Sequence, residues 1–185
     1  MWESDPESRF LRRSRGPGDR PARGHRHGVS RSTSALHAGA ELMALGFANS
    51  GERPCPCGSG DPLLQCCGPL HRGRLKAETA EQLMRSRYSA YALSEVDYLI
   101  ATHPVAASAA AERRRELRAS CRQTRWHGLK VLASEAGCSD DLEGTVRFEA
   151  VFSAGGQRHV LKEHSLFRRR NGVATGEWLY IRSLD

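Results

Sequence analysis

Cys55-Pro56-Cys57-Gly58-Ser59-Gly60, five further residues, then Cys66-Cys67-Gly68 put four thiols within thirteen positions. Thiolate sulfur is a soft ligand, and four of them fill the tetrahedral shell of Zn2+ with no position left for water or substrate. The chemistry implied is a closed, structural metal site rather than a catalytic one. Disulfides and a redox thiol pair are the competing readings. Neighbouring Cα atoms lie about 3.8 Å apart, below the usual disulfide span, so a Cys66–Cys67 bridge is strained. Cross-pairs such as Cys55–Cys66 and Cys57–Cys67 stay open on geometry alone. Cys121 and Cys138 stand apart, and the sequence shows no hydrophobic run of the signal-peptide kind, so it does not resemble a secreted disulfide framework.

Both adjacent cysteines can face one ion only if 66–67 is a turn or a helix start, because an extended strand points successive side chains apart. Gly58, Gly60, Pro62 and Gly68-Pro69 supply turn chemistry on both sides. The N–H groups of 58–60 are candidate outer donors to the thiolates. His71 is a reserve ligand, an outer partner, or simply a polar surface residue.

The elements that must carry this cluster follow it. Thr79 with Gln82 is a capping box, and Met84, Tyr88 and Tyr91 recur behind it at helical spacing. Ser94 with Asp97 repeats the cap signal for a short helix over 96–102, which Pro104 ends. A third helix is expected over roughly 109–121. Leu129, Val131 and Ala133 then alternate, as do Val146, Phe148, Ala150 and Phe152. Gly155-Gly156 turns into a strand over 159–167, and Asn171-Gly172 turns toward another over 177–182. Helices first and an antiparallel sheet afterwards is an α+β plan.

Other candidate chemistry is weaker. His159, Leu161, Glu163, Ser165 and Phe167 share one strand face, so Glu163 and Ser165 are candidate polar groups of an apolar pocket, with Tyr98, His103 and Trp126 completing it. The plainer alternative pairs Glu163 with Arg147 or Arg182 across strands and leaves the aromatics to fill the core. Arg113, Arg114, Arg115, Arg118 and Arg122, extended by Arg168-Arg169-Arg170, read either as a phosphate-binding stripe or as a solvated face paired with acids such as Glu112 and Glu116. Cys121 and Cys138 read as small buried apolar residues.

The chain of 185 residues has room for one ordinary domain and an appendage, and its formal charge is +7. Four thiolates holding one Zn2+ contribute a charge of −2, which leaves about +5. Arginine outnumbers lysine 25 to 3, a bias read first as base composition of the coding DNA. No apolar stretch approaches the ~20 residues of a membrane span. Residues 1–50 hold eight arginines and five acids with almost no apolar periodicity, and are expected to be disordered. They read as a basic arm for nucleic acid, a transit-like presequence, or an inert tail, one form of which is an over-extended gene start with Met43 as the true first residue; the inert tail is preferred because no aromatics interleave the arginines. The organisation expected is a tail over 1–50, a cysteine module over 51–76 and an α+β domain over 77–185.

Cys55-Pro56-Cys57-Gly58-Ser59 with Cys66-Cys67-Gly68 resembles the SEC-C motif, the zinc-binding module at the C-terminus of the bacterial preprotein translocase motor. Leu83-Met84-Arg85-Ser86-Arg87-Tyr88-Ser89-Ala90-Tyr91, Asp97-Tyr98-Leu99, Trp126-His127-Gly128-Leu129, Glu163-His164-Ser165-Leu166-Phe167 and Trp178-Leu179-Tyr180 resemble the YchJ-like family of uncharacterised bacterial proteins. The resemblance spans nearly everything from Pro54 onward. It implies a SEC-C zinc module joined to the cone-shaped α+β fold of nuclear transport factor 2. Two positions depart from the pattern: Cys67 stands where many SEC-C motifs have His, and Lys162 where the family often has His.

By analogy with other SEC-C carriers, the expected function is a cytoplasmic, zinc-binding adaptor. Its expected partner is a protein of the secretion, chaperone or translation machinery, met through the 61–65 loop and the neighbourhood of Arg72 and Arg74. The alternatives are a small-molecule-binding or enzymatic cone with Glu163 and Ser165 in its pocket, and a ribosome- or RNA-binding protein using the arginines.

Overall fold

The computed structural model describes residues 53–104 and 106–185. The expectations for the 1–50 tail lie outside the described residues. The described elements run α1 (Cys67–His71), α2 (Ala80–Leu93), α3 (Val96–Ala101), α4 (Ala110–Gln123), then β1 (Thr124–Ala136), β2 (Glu143–Ala154), β3 (Gln157–Arg169) and β4 (Trp178–Ser183). The strands form one antiparallel sheet in the order β1-β2-β3-β4. Helices packed on one face of that sheet give the expected α+β cone. No helix among the described residues is long and apolar enough to cross a membrane.

α2 is the spine of the molecule. Thr79 caps it as the sequence predicts, its hydroxyl accepting from the Gln82 N–H at 3.1 Å while the Gln82 side chain accepts from the Glu78 N–H. One face of α2 contributes Ala80, Leu83, Met84 and Tyr88 to a core shared with Val146, Phe148, Ala150, Phe167, Trp178 and Tyr180 of the sheet. The two-residue strand period sorts these residues from their outward neighbours. A second cluster, Ala90, Val96, Leu99 and Leu117, joins α2 to α3 and α4.

Three local expectations are corrected. Ser94 does not cap α3: it ends α2 in the left-handed conformation at φ 63°, and Glu95 precedes α3 without a side-chain cap. The chain must reverse within two residues here, and a left-handed residue that closes the preceding helix does this with the Glu95 N–H bonded to the Ala90 carbonyl at 2.9 Å. Ser94→Gly is therefore expected to stabilise the fold by about 1 kcal/mol, read from urea denaturation. Ala133 does not continue the inward face of Leu129 and Val131, because the register with β2 shifts between Val131 and Ala133 and leaves Ala133 exposed. Cys138 is exposed in the β1–β2 turn rather than buried, whereas Cys121 packs beside the second cluster. The Gly155-Gly156 turn joins β2 to β3 as expected, with φ of 57° and 78° that suit a tight hairpin.

Candidate metal centre

The cysteine module is a short hairpin followed by a helix start. Pro54 bridges Pro62, with the Cys55 N–H donating to the Asp61 carbonyl at 2.9 Å and the Leu63 N–H to the Arg53 carbonyl at 2.8 Å. Gly58 and Gly60, at φ 76° and 93°, turn the chain between those ends. A single turn of 3-10 helix, Leu63–Gln65, then leads through Cys66 into α1, which begins at Cys67. Cys66 has an irregular backbone (φ −115°, ψ −104°) that departs from a strand, and this lets adjacent cysteines converge. Gly68 is required by crowding, since a Cβ there would lie 2.7 Å from the Leu63 carbonyl oxygen.

The four sulfurs of Cys55, Cys57, Cys66 and Cys67 lie within 4.8 Å of one another and could hold a metal ion. Cys57 Sγ is 3.5 Å from Cys66 Sγ, and Cys66 Sγ is 3.8 Å from Cys67 Sγ. All six cysteines of the chain are free thiols. Clustering sets their acidities against one another. Hydrogen bonds from the thiols of Cys57 and Cys67 hold Cys55 far below the ordinary thiol range. The hydrogen bond to Cys55 pushes Cys67 far up, and burial raises Cys66 to about 11. One thiolate is thus favoured at the expense of its neighbours, and ionising all four requires a cation among them.

The expected outer donors are distributed differently. The Gly58 N–H donates to the Cys55 carbonyl at 3.2 Å, while the Ser59 hydroxyl lies 3.3 Å from Cys66 Sγ. His71 faces away from the sulfurs: its Nε2 sits 2.9 Å from the Ser86 carbonyl of α2, and its ring packs on Tyr98 with centroids 5.0 Å apart. What α2 supplies in return has no local signature. Ser89, fully buried, places its hydroxyl 3.7 Å from Cys55 Sγ, and Arg85 donates to the Cys57 carbonyl at 3.2 Å. These residues are 34 and 28 positions from their partners, beyond the reach of any local pattern.

The candidate pocket residues are divided. Glu163, Ser165 and Trp126 do line one cavity, with Met84, Arg87 and Tyr180 among its other walls, but its volume is about 60 Å3. Tyr98 lines a separate groove of about 370 Å3 between α1 and the cone, together with Leu70, Leu75, Thr102 and Trp178. His103 packs against the Tyr180 ring, 5.7 Å between centroids. Glu163 pairs in register with Phe148 on the inner face, so Arg147 and Arg182, one residue out of phase on their strands, cannot meet it. Instead one carboxylate oxygen accepts from the Ser165 hydroxyl at 2.5 Å and from the Tyr180 hydroxyl at 3.2 Å.

Of the arginine runs, Arg113 and Arg169 are buried and the others lie at the surface, several of them paired with acids. Arg113 is buried beside Glu116, Arg114 grips Asp97 at 2.8 Å, and Arg168 pairs with Glu143. Arg170 reaches Glu177 and the Ala101 carbonyl. Arg169 is interior: it donates to the carbonyls of Asp141, Gly176, Glu78 and Ser139 at 3.3, 3.1, 3.0 and 2.6 Å, and lies 4.3 Å from the centre of the Trp178 ring. Arg115, Arg118 and Arg122 are exposed.

Burial also marks two tyrosines on α2 and α3. It raises both Tyr88 and Tyr98 to about 12 from an ordinary value of 10. The folded state therefore keeps its phenol protons where the unfolded chain has lost them, so this stability is complete below about pH 10 and is lost as pH climbs through about 12. Phenolate absorbance should show these two ionising only with alkaline unfolding; their titration near pH 10 in the folded protein would contradict the packing.

Comparison with known proteins agrees with this geometry. Residues 79–183 match the family model described as the YchJ, middle NTF2-like domain. The UPF0225 protein of Vibrio parahaemolyticus is 44% identical over 128 residues, covering 69% of this chain and 72% of that protein. The UPF0225 protein of Ralstonia nicotianae is 42% identical over 132 residues, covering 69% of this chain and 88% of its own. A SEC-C motif containing protein from Rhodopseudomonas palustris, solved in solution, is similar in structure with a TM-score of 0.59 at 34% identity, over 71% of this chain and 97% of that one. A SEC-C motif containing protein from Psychrobacter arcticus, solved by crystallography, gives 0.57 at 26% identity, over 71% and 81%. With a four-cysteine cluster set directly before a cone-shaped domain that matches the family model throughout, the chain belongs to the YchJ-like, UPF0225 family.

Proposed function

We propose that Cys55, Cys57, Cys66 and Cys67 hold one structural Zn2+ and that the resulting knuckle is a docking surface for another protein. The observation that carries the metal reading is the sulfur spacing. A zinc tetrahedron with Zn–S bonds of about 2.3 Å has edges of about 3.8 Å; Cys57–Cys66 and Cys66–Cys67 are separated by 3.5 and 3.8 Å, and all four sulfurs lie within 4.8 Å of one another. Four thiolates complete the shell, so the ion would supply rigidity and no catalysis. Free thiolates in this number suit a reducing compartment, which supports the cytoplasm as the site of action.

The surface beside the knuckle supports the adaptor reading. Leu64 and Leu75 are 51% and 61% exposed; Arg72 lines the 370 Å3 groove with Leu75, and Arg74, next to Leu75 in the chain, is exposed. Exposed apolar side chains among cations are what a protein partner, in the secretion, chaperone or translation machinery, would cover. The cone interior supports an enzyme less well. Its 60 Å3 cavity compares with roughly 300–1,000 Å3 for small-molecule sites, and Trp126 and Phe148 form part of its wall.

The test uses the tagged full chain as bait in cell extract, beside Cys66→Ser and a Leu64→Ser, Leu75→Ser double variant. A partner retained by the wild type and lost in both variants, while the leucine variant keeps its metal, is the expected result. A partner unaffected by the leucine changes would move the docking surface elsewhere.

A further inference from the structure

The metal centre has a neighbour that belongs to the cone. Ser89 sits on α2 with no exposed surface, and its hydroxyl lies 3.7 Å from Cys55 Sγ, the sulfur contact of this hydroxyl among the described residues. Two further links run between the same helix and the knuckle: Arg85 to the Cys57 carbonyl at 3.2 Å, and the Ser86 carbonyl to His71 at 2.9 Å. Arg85 is itself fixed by Glu81 at 2.8 Å, and Glu81 accepts from Ser134 of β1 at 2.9 Å. The helix is thus held from both sides, and its polar groups meet the knuckle in one orientation.

A ligating thiolate carries no proton, so a hydroxyl beside it can only donate. Such donors withdraw charge from the sulfur, hold its side chain in place and alter metal retention; removing an outer-shell partner of this kind typically changes affinity by about 10–100-fold. We propose that Ser89 is a positioning residue of the metal centre, donating its hydroxyl to the Cys55 thiolate, so that metal retention depends on a helix of the cone outside the cysteine motif. This rests on the reading of the four cysteines as a metal site. It makes the knuckle and the cone one mechanical unit: the residue that steadies the ion also packs in the helix that carries the sheet.

Ser86 provides the control. It is an equally buried serine on the same helix, yet its hydroxyl donates to the Leu83 carbonyl at 2.8 Å and meets the Tyr98 hydroxyl at 2.7 Å, away from the sulfurs. The full chain is loaded with Co2+, whose thiolate-to-metal charge-transfer band reports directly on the sulfurs, and separately with Zn2+ for release to a chromophoric chelator. Ser89→Ala is expected to shift the cobalt band and to speed zinc release by about tenfold. Ser86→Ala is expected to lower the melting temperature while leaving band and release rate as in the wild type. Ser89→Ala with an unchanged band and release rate overturns the proposal, as do equal changes from both substitutions. A wild-type chain that takes up neither metal overturns the metal reading itself, and this inference with it.

Discussion

Cys66→Ser should emerge from purification without metal, where the wild type carries about one zinc per chain. Cys66 is the half-exposed member of the four, so the change does not open a cavity in the core. The oxygen it introduces is a harder, far weaker ligand, and three thiolates leave the site open to water and chelators. Because only the folded knuckle holds four sulfurs together, metal binding is also folding free energy. At free zinc about a thousandfold above the Kd, the linkage is worth about 4 kcal/mol, less whatever the unfolded cysteines retain.

The loss should be spatially uneven. The main core of Ala80, Leu83, Met84, Val146, Phe167 and Trp178 contains no metal ligand, so the cone should keep its sheet. Hydrogen exchange should show the 53–76 amides losing protection first, followed by the face of α2 that carries Arg85 and Ser89. The measurements are metal content by mass spectrometry, melting with and without chelator, and residue-level exchange. A folded wild type that is purified free of metal, and melts unchanged in chelator, would falsify the metal reading.

Arg169→Ala should be the most damaging single change in the cone. Arg169 as a whole is 8% exposed, and its guanidinium closes a junction of four segments by donating to four carbonyls, from 78, 139, 141 and 176. Burial lowers its pKa, yet arginine stays charged across the whole working range. Removing it takes a donor from four part-buried carbonyls, of which that of Glu78 keeps the Trp178 indole N–H; each loss costs about 1–3 kcal/mol where water cannot replace the donor, and the contact with the Trp178 ring is forfeited. The junction is partly open to solvent, so a total of about 3–4 kcal/mol is expected. Arg169→Lys should recover less than half of that, because an ammonium has three donors on a point charge and no plane to lay on the indole. Arg115→Ala, on the exposed face of α4, should change stability by less than about 0.5 kcal/mol. Urea denaturation followed by circular dichroism compares the three; equal losses for Arg169 and Arg115 would mean that the junction is held by other groups.

The contrast between those arginines shows how far sequence reading reaches. Arg168-Arg169-Arg170 looks like one basic run, and composition alone cannot sort it. Strand parity can: the two-residue period that turns Glu163, Ser165 and Phe167 inward also turns Arg169 inward. The signal was present, but the habit of reading charge runs as surface hides it. In the same way Arg113 stands one helical turn before buried Leu117, on the apolar side of α4. The cap of α2 and the hairpin at Gly155-Gly156 were legible because their partners lie within a few residues. Ser94 is ambiguous in the sequence because one serine can signal either the end of a helix or the start of the next, and only the geometry of the reversal between α2 and α3 selects one.

By itself, then, the sequence determines the four-cysteine cluster, the order of helices before strands and the family, because each of these is written in residue types and short spacings. The tertiary structure alone decides what surrounds the sulfurs. Ser89, Arg85 and the Ser86 carbonyl reach the knuckle only because α2 packs beneath it, and contacts across some 15 to 34 residues leave no periodic trace. It also decides that the cone interior keeps a cavity of only about 60 Å3, since cavity volume depends on how side chains from α2 and all four strands interlock. Short-range chemistry is local and can be read from the chain. The surroundings of the sulfurs and the space inside the cone are products of packing, and exist only once the chain has folded.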